Sequence, residues 1–339
     1  MKRFTNSLLE KARFQADPLA DQLISQVIFD DRLSQLFQLS SPYDIQNLPE
    51  EVREYFLQPT PLPDWADVRK IKLSSHFLEQ HLEIILNLLG SYSLPYCFAA
   101  AKGAKALQIT GQMTHNTEAR LAYTAAFVLT TLHREALLSP EKGPFAIKKI
   151  RLIHALNRYQ IEQSKQWSEG WGKPINQEEM SGTNLAFSLI ILRGLRKLGY
   201  VIKKEESEAY LHTWAVISYL LGVSEELLPT NGKEAYHLEK LIAGNQFRPS
   251  EAGQALTASL IYNLTKATPK SINQDQIQAY IRFLVGNEVA NILGIPETYI
   301  FSRQVLRVSL WVQKFMLQFS TLSSSDKVHK KLLEIRAKI

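Results

Sequence analysis

Apolar residues recur with a helical period along most of this 339-residue chain. Apolar side chains spaced three and four residues apart predict amphipathic helices that pack into a common core. The periodic stretches end near glycine or proline, which are the residues expected just beyond helix ends. No run of β-branched residues alternates for long enough to predict a strand. The pattern therefore predicts an all-α fold.

One N-terminal segment interrupts the helical period. Residues 39–64 are rich in serine, proline and aspartate, and they predict an ordered loop with a short helix around residues 50–56. Asp17 before a proline, and Asn176 three residues before Glu179, are typical of helix N-termini. Further helices are predicted over residues 70–90, 96–109, 178–198, 205–221, 234–247, 249–266, 274–293, 299–320 and 326–338.

Residues 118–158 predict two helices joined by a turn, and the second helix carries a polar residue on its apolar face. The first helix places five residues on one face, namely Arg120, Tyr123, Thr124, Phe127 and Thr131. The second places five residues on one face, namely Ile147, Ile150, His154, Asn157 and Ile161, and His154 stands where an aliphatic side chain is expected. An inward imidazole there is either a core histidine with a hydrogen-bond partner or the proximal ligand of a haem iron. Periodicity alone leaves both interpretations open.

Composition narrows the class of protein. Hydrophobic residues make up 45% of the chain, enough for a large core, and the formal charge is +6. Lysine and arginine are spread along the chain, so no concentrated basic face predicts nucleic-acid binding. The single cysteine, Cys97, excludes a disulfide within the chain and a covalently attached haem. The basic, amphipathic segment 326–338 permits peripheral membrane contact.

The N-terminus has no apolar core of signal-peptide length, and no segment reaches the roughly 18 continuous apolar residues of a membrane span. We therefore expect a cytoplasmic location. Phosphate-binding and nucleophile motifs such as GxGxxG, Walker A and GxSxG do not occur. Glu234 and His237 form one Glu-x-x-His pair, whereas di-iron helical bundles need two. A di-iron protein therefore remains an alternative, and it rests on this single pair.

Short sequence blocks follow one another in a recognisable order. They are RLAYT at residues 120–124, RLIHA at 151–155, GLRKLG at 194–199, LLGV at 220–223 and LLP at 227–229. In order and spacing these blocks resemble the rubber oxygenase catalytic domain family, which includes latex clearing proteins and MpaB-type oxygenases. The resemblance covers roughly residues 60–300.

The resemblance implies a globin-like helical core that binds haem b without a covalent bond. His154 would be the proximal iron ligand, and Arg120 and Thr124 would line the haem pocket. Arg151 and Arg158, on the same predicted helix as His154, are further candidate cofactor contacts.

Two positions depart from the pattern of the rubber-cleaving members. Tyr123 occupies the place of their lysine, from which it would donate a hydrogen bond to oxygen, and it is a candidate catalytic residue with Arg120 and Thr124. Their catalytic glutamate lies upstream of the RLxxT segment, and the matching region near Ala104 offers no glutamate.

We therefore expect one all-α domain over residues 1–339, with an N-terminal arm (1–60), a haem-binding core (60–300) and C-terminal helices (300–339). The function that the resemblance implies is a haem b-dependent oxygenase that uses dioxygen on an isoprenoid or lipid-like substrate. Two alternatives remain: a haem-binding sensor or carrier without turnover, and a non-haem helical scaffold, either a di-iron protein or an interaction protein.

Overall fold

The computed structural model describes residues 3–39, 41–111, 117–269, 271–298 and 302–317, and the side chains of residues 117–120 and 302–303 lie outside that description. Within these ranges every regular element is a helix, apart from one isolated antiparallel bridge between Ala100 and Phe247. The prediction of an all-α fold is confirmed. The predicted helix over residues 326–338 lies outside the described residues.

The α-helices follow one another along the described chain, with short 3-10 helices between some of them. Their bounds are α1 (Asn6–Arg13), α2 (Pro18–Val27), α3 (Glu50–Leu57), α4 (Val68–Leu88), α5 (Leu94–Phe98), α6 (Ala101–Ile109), α7 (Thr117–Leu132), α8 (Gly143–Gln163), α9 (Gln177–Phe187), α10 (Leu189–Lys197), α11 (Lys204–Leu220), α12 (Gly232–Gln246), α13 (Glu251–Ala267), α14 (Gln274–Val285), α15 (Asn287–Ile292) and α16 (Ser302–Leu317).

Side-chain caps begin several of these helices, as the sequence predicts. The Asp17 carboxylate accepts a hydrogen bond from the Ala20 backbone N–H at the start of α2. The Asn176 side chain accepts one from the Glu179 N–H, at 2.9 Å, at the start of α9. Each cap satisfies a backbone donor that the first helical turn leaves unpaired.

The prediction of one continuous helix over residues 96–109 is wrong, because the chain is extended at Ala100 between α5 and α6. The Arg248 backbone N–H donates to the Ala99 carbonyl at 3.1 Å, and the bridge from Ala100 to Phe247 adds a second tie. These partners lie about 150 residues away in the sequence. The local helical period therefore holds no sign of the break.

Two further predicted helices are each divided in two. Residues 178–198 form α9 and α10, which meet at Ser188, where ψ is −79° and the hydroxyl donates back to the Asn184 carbonyl at 2.8 Å. Such a bond competes with the backbone ladder and bends helices. Residues 274–293 form α14 and α15, divided at Gly286, whose φ of 88° is in the left-handed region that glycine adopts readily.

The buried apolar side chains form two clusters. The larger cluster joins α4, α9, α10, α11, α13 and α14. The smaller one joins the N-terminal arm, including α2 and α3, to one face of α8 through Phe145, Leu152 and Leu156. Helix α8 therefore packs against the arm on one face, and elsewhere it contacts α7 and α11. None of the helices in the described ranges is long and apolar enough to cross a membrane.

Candidate functional site

A large cavity lies between α7, α8, α9 and α12. Its volume is about 1130 Å³, above the ~300–1,000 Å³ of most small-molecule pockets. Much of its wall is apolar, and an apolar wall of this size suits a large hydrophobic ligand. The apolar residues of the wall include Leu107, Phe127, Ile150, Ile153, Phe187 and Ile242.

His154 lies in the wall of this cavity. It lines the cavity together with Ile150 and Asn157, so the predicted placement of these three residues on one inward face of α8 is confirmed. Its Nδ1 atom is shielded from solvent. The helical period places the imidazole inward because the opposite face of α8, with Leu152 and Leu156, is buried against the arm.

Helix α7 supplies the wall that joins the one carrying His154. Tyr123, Thr124 and Phe127 line the cavity, as their spacing predicts. Tyr123 lies at the rim, since 46% of its surface is exposed. Thr131 is not in the wall, because it is buried with its hydroxyl donating to the Phe127 carbonyl at 2.8 Å. The side chain of Arg120, a predicted pocket residue, lies outside the described residues.

The two other predicted cofactor contacts lie away from the cavity. Arg151 donates from Nη2 to Asp17 at 2.8 Å, and Arg158 donates from Nε to Asp21 at 2.7 Å. Neither arginine is among the cavity-lining residues. Both guanidinium groups therefore dock the N-terminal arm onto α8, and we no longer assign them to cofactor binding.

The candidate di-iron pair is engaged with the N-terminal segment. The Glu234 carboxylate accepts a hydrogen bond from Arg3 at 2.9 Å, and it also accepts from the Thr230 hydroxyl. A ring nitrogen of His237 lies 3.3 Å from the Phe4 carbonyl. Among the described residues, no group of three or more His, Cys, Asp or Glu side chains is arranged to hold a metal ion.

Several polar residues of the cavity wall were not predicted from the sequence, and Glu179 and Gln246 are two of them. Burial raises the pKa of the Glu179 carboxyl to about 7, against the opposing effect of backbone hydrogen bonds from Asn176 and Ile175. Its spacing from Asn176 predicts only a helix-capping role for Glu179. Its place in the cavity depends on how α9 packs against α12, for which the local sequence carries no signal.

The wall nearest the arm carries cationic side chains. Lys149 lines the cavity, and its Nζ donates to the Leu39 carbonyl at 2.5 Å and the Phe37 carbonyl at 3.2 Å. Burial lowers the pKa of Lys149 to about 8. Lys142 and Arg134 also line the cavity. Positive charge is thus available beside an apolar chamber, an arrangement that suits an anionic group on a bulky ligand.

The segment after α7 is held in a strained conformation next to the cavity. Arg134 and Glu135 have φ of 51° and 56°, in the left-handed region that costs a non-glycine residue about 1 kcal/mol or more. Their backbone N–H groups are held by Glu79 Oε1 at 3.2 Å and Ser75 Oγ at 2.9 Å. Helix α4 therefore sets the path of the chain between α7 and α8.

Together, these features define an all-α protein with an interior site for a large apolar group and two histidines, His133 and His154, in the described wall of that site. The chain belongs to the family described as "ER-bound oxygenase mpaB/B'/Rubber oxygenase, catalytic domain", which matches residues 95–315. The resemblance drawn from the short sequence blocks is confirmed.

Two similar proteins support this membership. A rubber oxygenase of Streptomyces sp. (strain K30) is 24% identical over 261 residues, which are 76% of this chain and 64% of that protein. The chain therefore spans less than two thirds of the length of this relative. A solved structure of latex clearing protein LCP in the closed state matches 94% of this chain and 90% of its own, with a TM-score of 0.74 and 22% identity. The second likeness shows a shared fold.

Proposed function

We propose that this chain is a haem b-dependent oxygenase that acts with dioxygen on an apolar substrate of isoprenoid or lipid-like kind. The observation that carries the proposal is the position of His154 in the wall of the large apolar cavity. The family supports oxygenase chemistry, because its members include proteins named rubber oxygenase. The apolar wall supports a hydrophobic substrate.

The residues present fit a haem. His154 would ligate the iron, since a neutral imidazole nitrogen is the usual proximal ligand in helical haem proteins. Lys142 and Arg134 in the same wall, with Arg120 on α7, would neutralise the propionate groups. The volume of about 1130 Å³ is ample for a ligand larger than most. When bound, haem supplies an iron that binds and activates dioxygen.

Other side chains of the wall have roles in binding and orientation. Thr124 and Tyr123 place hydroxyl groups on the α7 side, from which they would donate hydrogen bonds to oxygen or to a polar substrate atom. Phe127, Ile150 and Ile153 would exclude water from the substrate. Exclusion of water strengthens every electrostatic interaction within the site and prevents side reactions.

A visible spectrum of the full chain purified with haem tests the proposal. We expect a Soret band that His154→Ala removes or shifts strongly, and that added imidazole restores in the variant. The matched control is His133→Ala, because His133 also lines the cavity. A spectrum that is absent in the wild type, or that depends on His133 and not on His154, would overturn the assignment.

A haem-binding carrier without turnover is the second candidate. The observation that favours it concerns α6, the region that matches the catalytic glutamate of the rubber-cleaving members. This helix contributes Gly103, Ala106 and Leu107 to the cavity but no carboxylate, and Ala104 is buried in the core. Oxygen consumption with an isoprenoid alkene separates the two functions. An oxygenase consumes oxygen and forms a cleaved or oxidised product, whereas a carrier binds oxygen reversibly and leaves the alkene intact.

A further inference from the structure

Three side-chain oxygen atoms of the cavity wall are buried and have no hydrogen-bond partner within the described part of the chain. They are Oε1 of Glu179, Oδ1 of Asn184 and Oε1 of Gln246. Of these residues, Glu179 and Gln246 both lie next to Glu178. A buried acceptor that finds no donor costs about 1–3 kcal/mol. Native proteins rarely keep such atoms unless a water or a ligand supplies the missing donor. Their common location points to a ligand that donates hydrogen bonds.

The two residues are brought together where α9 begins and α12 ends. Between them lies Glu178, whose side chain has no exposed surface and which binds Arg13 at 2.9 Å. The Glu178 carboxylate also accepts from Nε2 of Gln246. Because the amide nitrogen of Gln246 is used in this bond, its oxygen is the acceptor left for the cavity. The orientation of the amide is therefore set by its neighbours.

The other buried carboxylate of the wall differs in this respect. Glu239 lines the cavity, yet it accepts hydrogen bonds from the Tyr96 hydroxyl and from Nη2 of Arg193, the latter at 2.9 Å. Its charge is compensated and its oxygens are occupied. Of these two carboxyl groups, Glu179 is thus the one that has an acceptor to offer.

The charges around Glu179 favour a neutral donor over a cationic one. Burial raises the pKa of Glu179 to about 7, so near neutral pH the carboxyl carries on average only about half of a negative charge. Lys102 on α6 acts electrostatically on Glu179 and already supplies positive charge, and Glu178 on α9 is paired with Arg13 of α1. An ammonium group would add a second desolvated cation beside Lys102, whereas a hydroxyl group carries no such cost.

We propose that the end of the cavity formed by Glu179 and Gln246 binds the hydroxyl group of an otherwise apolar alcohol. The hydroxyl hydrogen would be donated to one of the two oxygens, and the apolar chain would lie along Ile242, Phe187 and Phe247. The inference rests on the proposed function in taking this alcohol as the substrate class of the same cavity.

Titration calorimetry with the full chain, with and without haem, tests this proposal. The matched probes are decan-1-ol and its methyl ether, 1-methoxydecane, which share an apolar chain but differ in the donor. We expect the alcohol to bind roughly tenfold more tightly, the value of about one buried hydrogen bond. Equal affinity for the two probes would show that water satisfies the two oxygens, and it would overturn the proposal.

Single-residue variants show which side chains of the cavity produce the preference for the alcohol. Glu179→Met and Gln246→Met each remove an acceptor, and we expect either one to reduce the preference for the alcohol. Glu179→Gln keeps an acceptor of the same size and should retain the preference. The control is Thr183→Val in the same wall, because the Thr183 hydroxyl already donates to the Glu179 carbonyl at 2.9 Å. A preference that survives both Met variants would contradict the proposed location.

The outcomes separate this inference from the proposed function. A Soret band that depends on His154, together with equal affinity for the two probes, leaves the oxygenase proposal standing and removes the alcohol site. A preference for the alcohol in a chain that binds no haem does the reverse. The calorimetric measurement without haem is therefore informative whether or not the cofactor assignment holds.

Discussion

The Arg151 guanidinium on α8 makes two hydrogen bonds to the carboxylate of Asp17, the residue that caps α2. Asp17 is 3% exposed, so the ion pair is largely shielded from water. Arg158 and Asp21 form a second pair along the same two helices. These pairs join the N-terminal arm to the helix that carries His154, from positions three residues before it and four residues after it.

Asp17→Asn tests the strength of this junction. Asparagine is also a good N-cap, so α2 keeps its cap while the Arg151 charge loses its partner. We expect a loss of about 3 kcal/mol in the free energy of unfolding, since removal of one partner leaves a poorly solvated charge. Urea denaturation measures it. Glu162→Gln, which breaks an exposed pair with Lys173, is the control, and its loss should stay below about 1 kcal/mol.

Gly222→Ala tests how closely the chain approaches the same pair. Gly222 has φ of +91°, and a Cβ atom there would lie 2.5 Å from Asp17 Oδ2 and 3.0 Å from Arg151 Nε. Gly199→Ala is a matched control, because its φ is +88° but nothing lies within 4 Å. Both variants should lose about 1 kcal/mol or more from backbone strain. A Gly222 variant no less stable than the Gly199 variant in thermal unfolding would contradict the contact.

Glu179→Gln should change how stability depends on pH. The folded-state pKa of Glu179 is raised from 4.5 to about 7 by burial. Between these two pH values the folded protein therefore binds a proton that the unfolded chain has lost. The stability that this proton contributes is lost as the pH rises through about 7. The glutamine variant lacks this pH-dependent contribution to stability. Its stability relative to the wild type should rise with pH by up to about 3 kcal/mol.

The measurement is the difference in unfolding free energy between variant and wild type across this pH range. Glu226→Gln is the control, because Glu226 is an exposed carboxylate and its difference should stay flat. A difference for Glu179→Gln that does not vary with pH would show that the carboxyl titrates normally.

Lys148→Met tests a second tie between the arm and α8. The Lys148 Nζ donates to the carbonyls of Tyr55 at 2.9 Å and Phe56 at 3.2 Å, and also to that of Gln58, which together end α3. An ammonium group suits these carbonyls at a helix C-terminus. Its loss should expose the segment around residues 39–64 to faster limited proteolysis. Lys165→Met, an exposed control, should leave the cleavage rate unchanged.

Much of the fold follows from local sequence. Helical period and caps place α4, α8 and α11 close to their predicted positions, because backbone hydrogen bonds and N-caps join residues only a few positions apart. The same period put His154, Tyr123 and Thr124 on inward faces. The order of short sequence blocks also identified the family.

Other features depended on partners that the sequence does not bring close. The break at Ala100 follows from contacts with Phe247 and Arg248, and the role of Arg151 follows from Asp17, 134 residues earlier. Arg151 lies three residues before His154, and spacing alone predicts a cofactor contact because the sequence does not show that Asp17 is its partner. Helical period describes which face a residue occupies, but it does not state what packs against that face.

The sequence by itself therefore determined the helical class, the family and the inward position of His154, since each depends on spacing along one chain segment. Only the tertiary structure decided which polar groups share the cavity with it. Glu179 and Gln246 lie close to each other because α9 packs along α12, and the Glu178 carboxylate accepts a hydrogen bond from Gln246. Long-range packing, and not local preference, places these two oxygens beside the same apolar chamber.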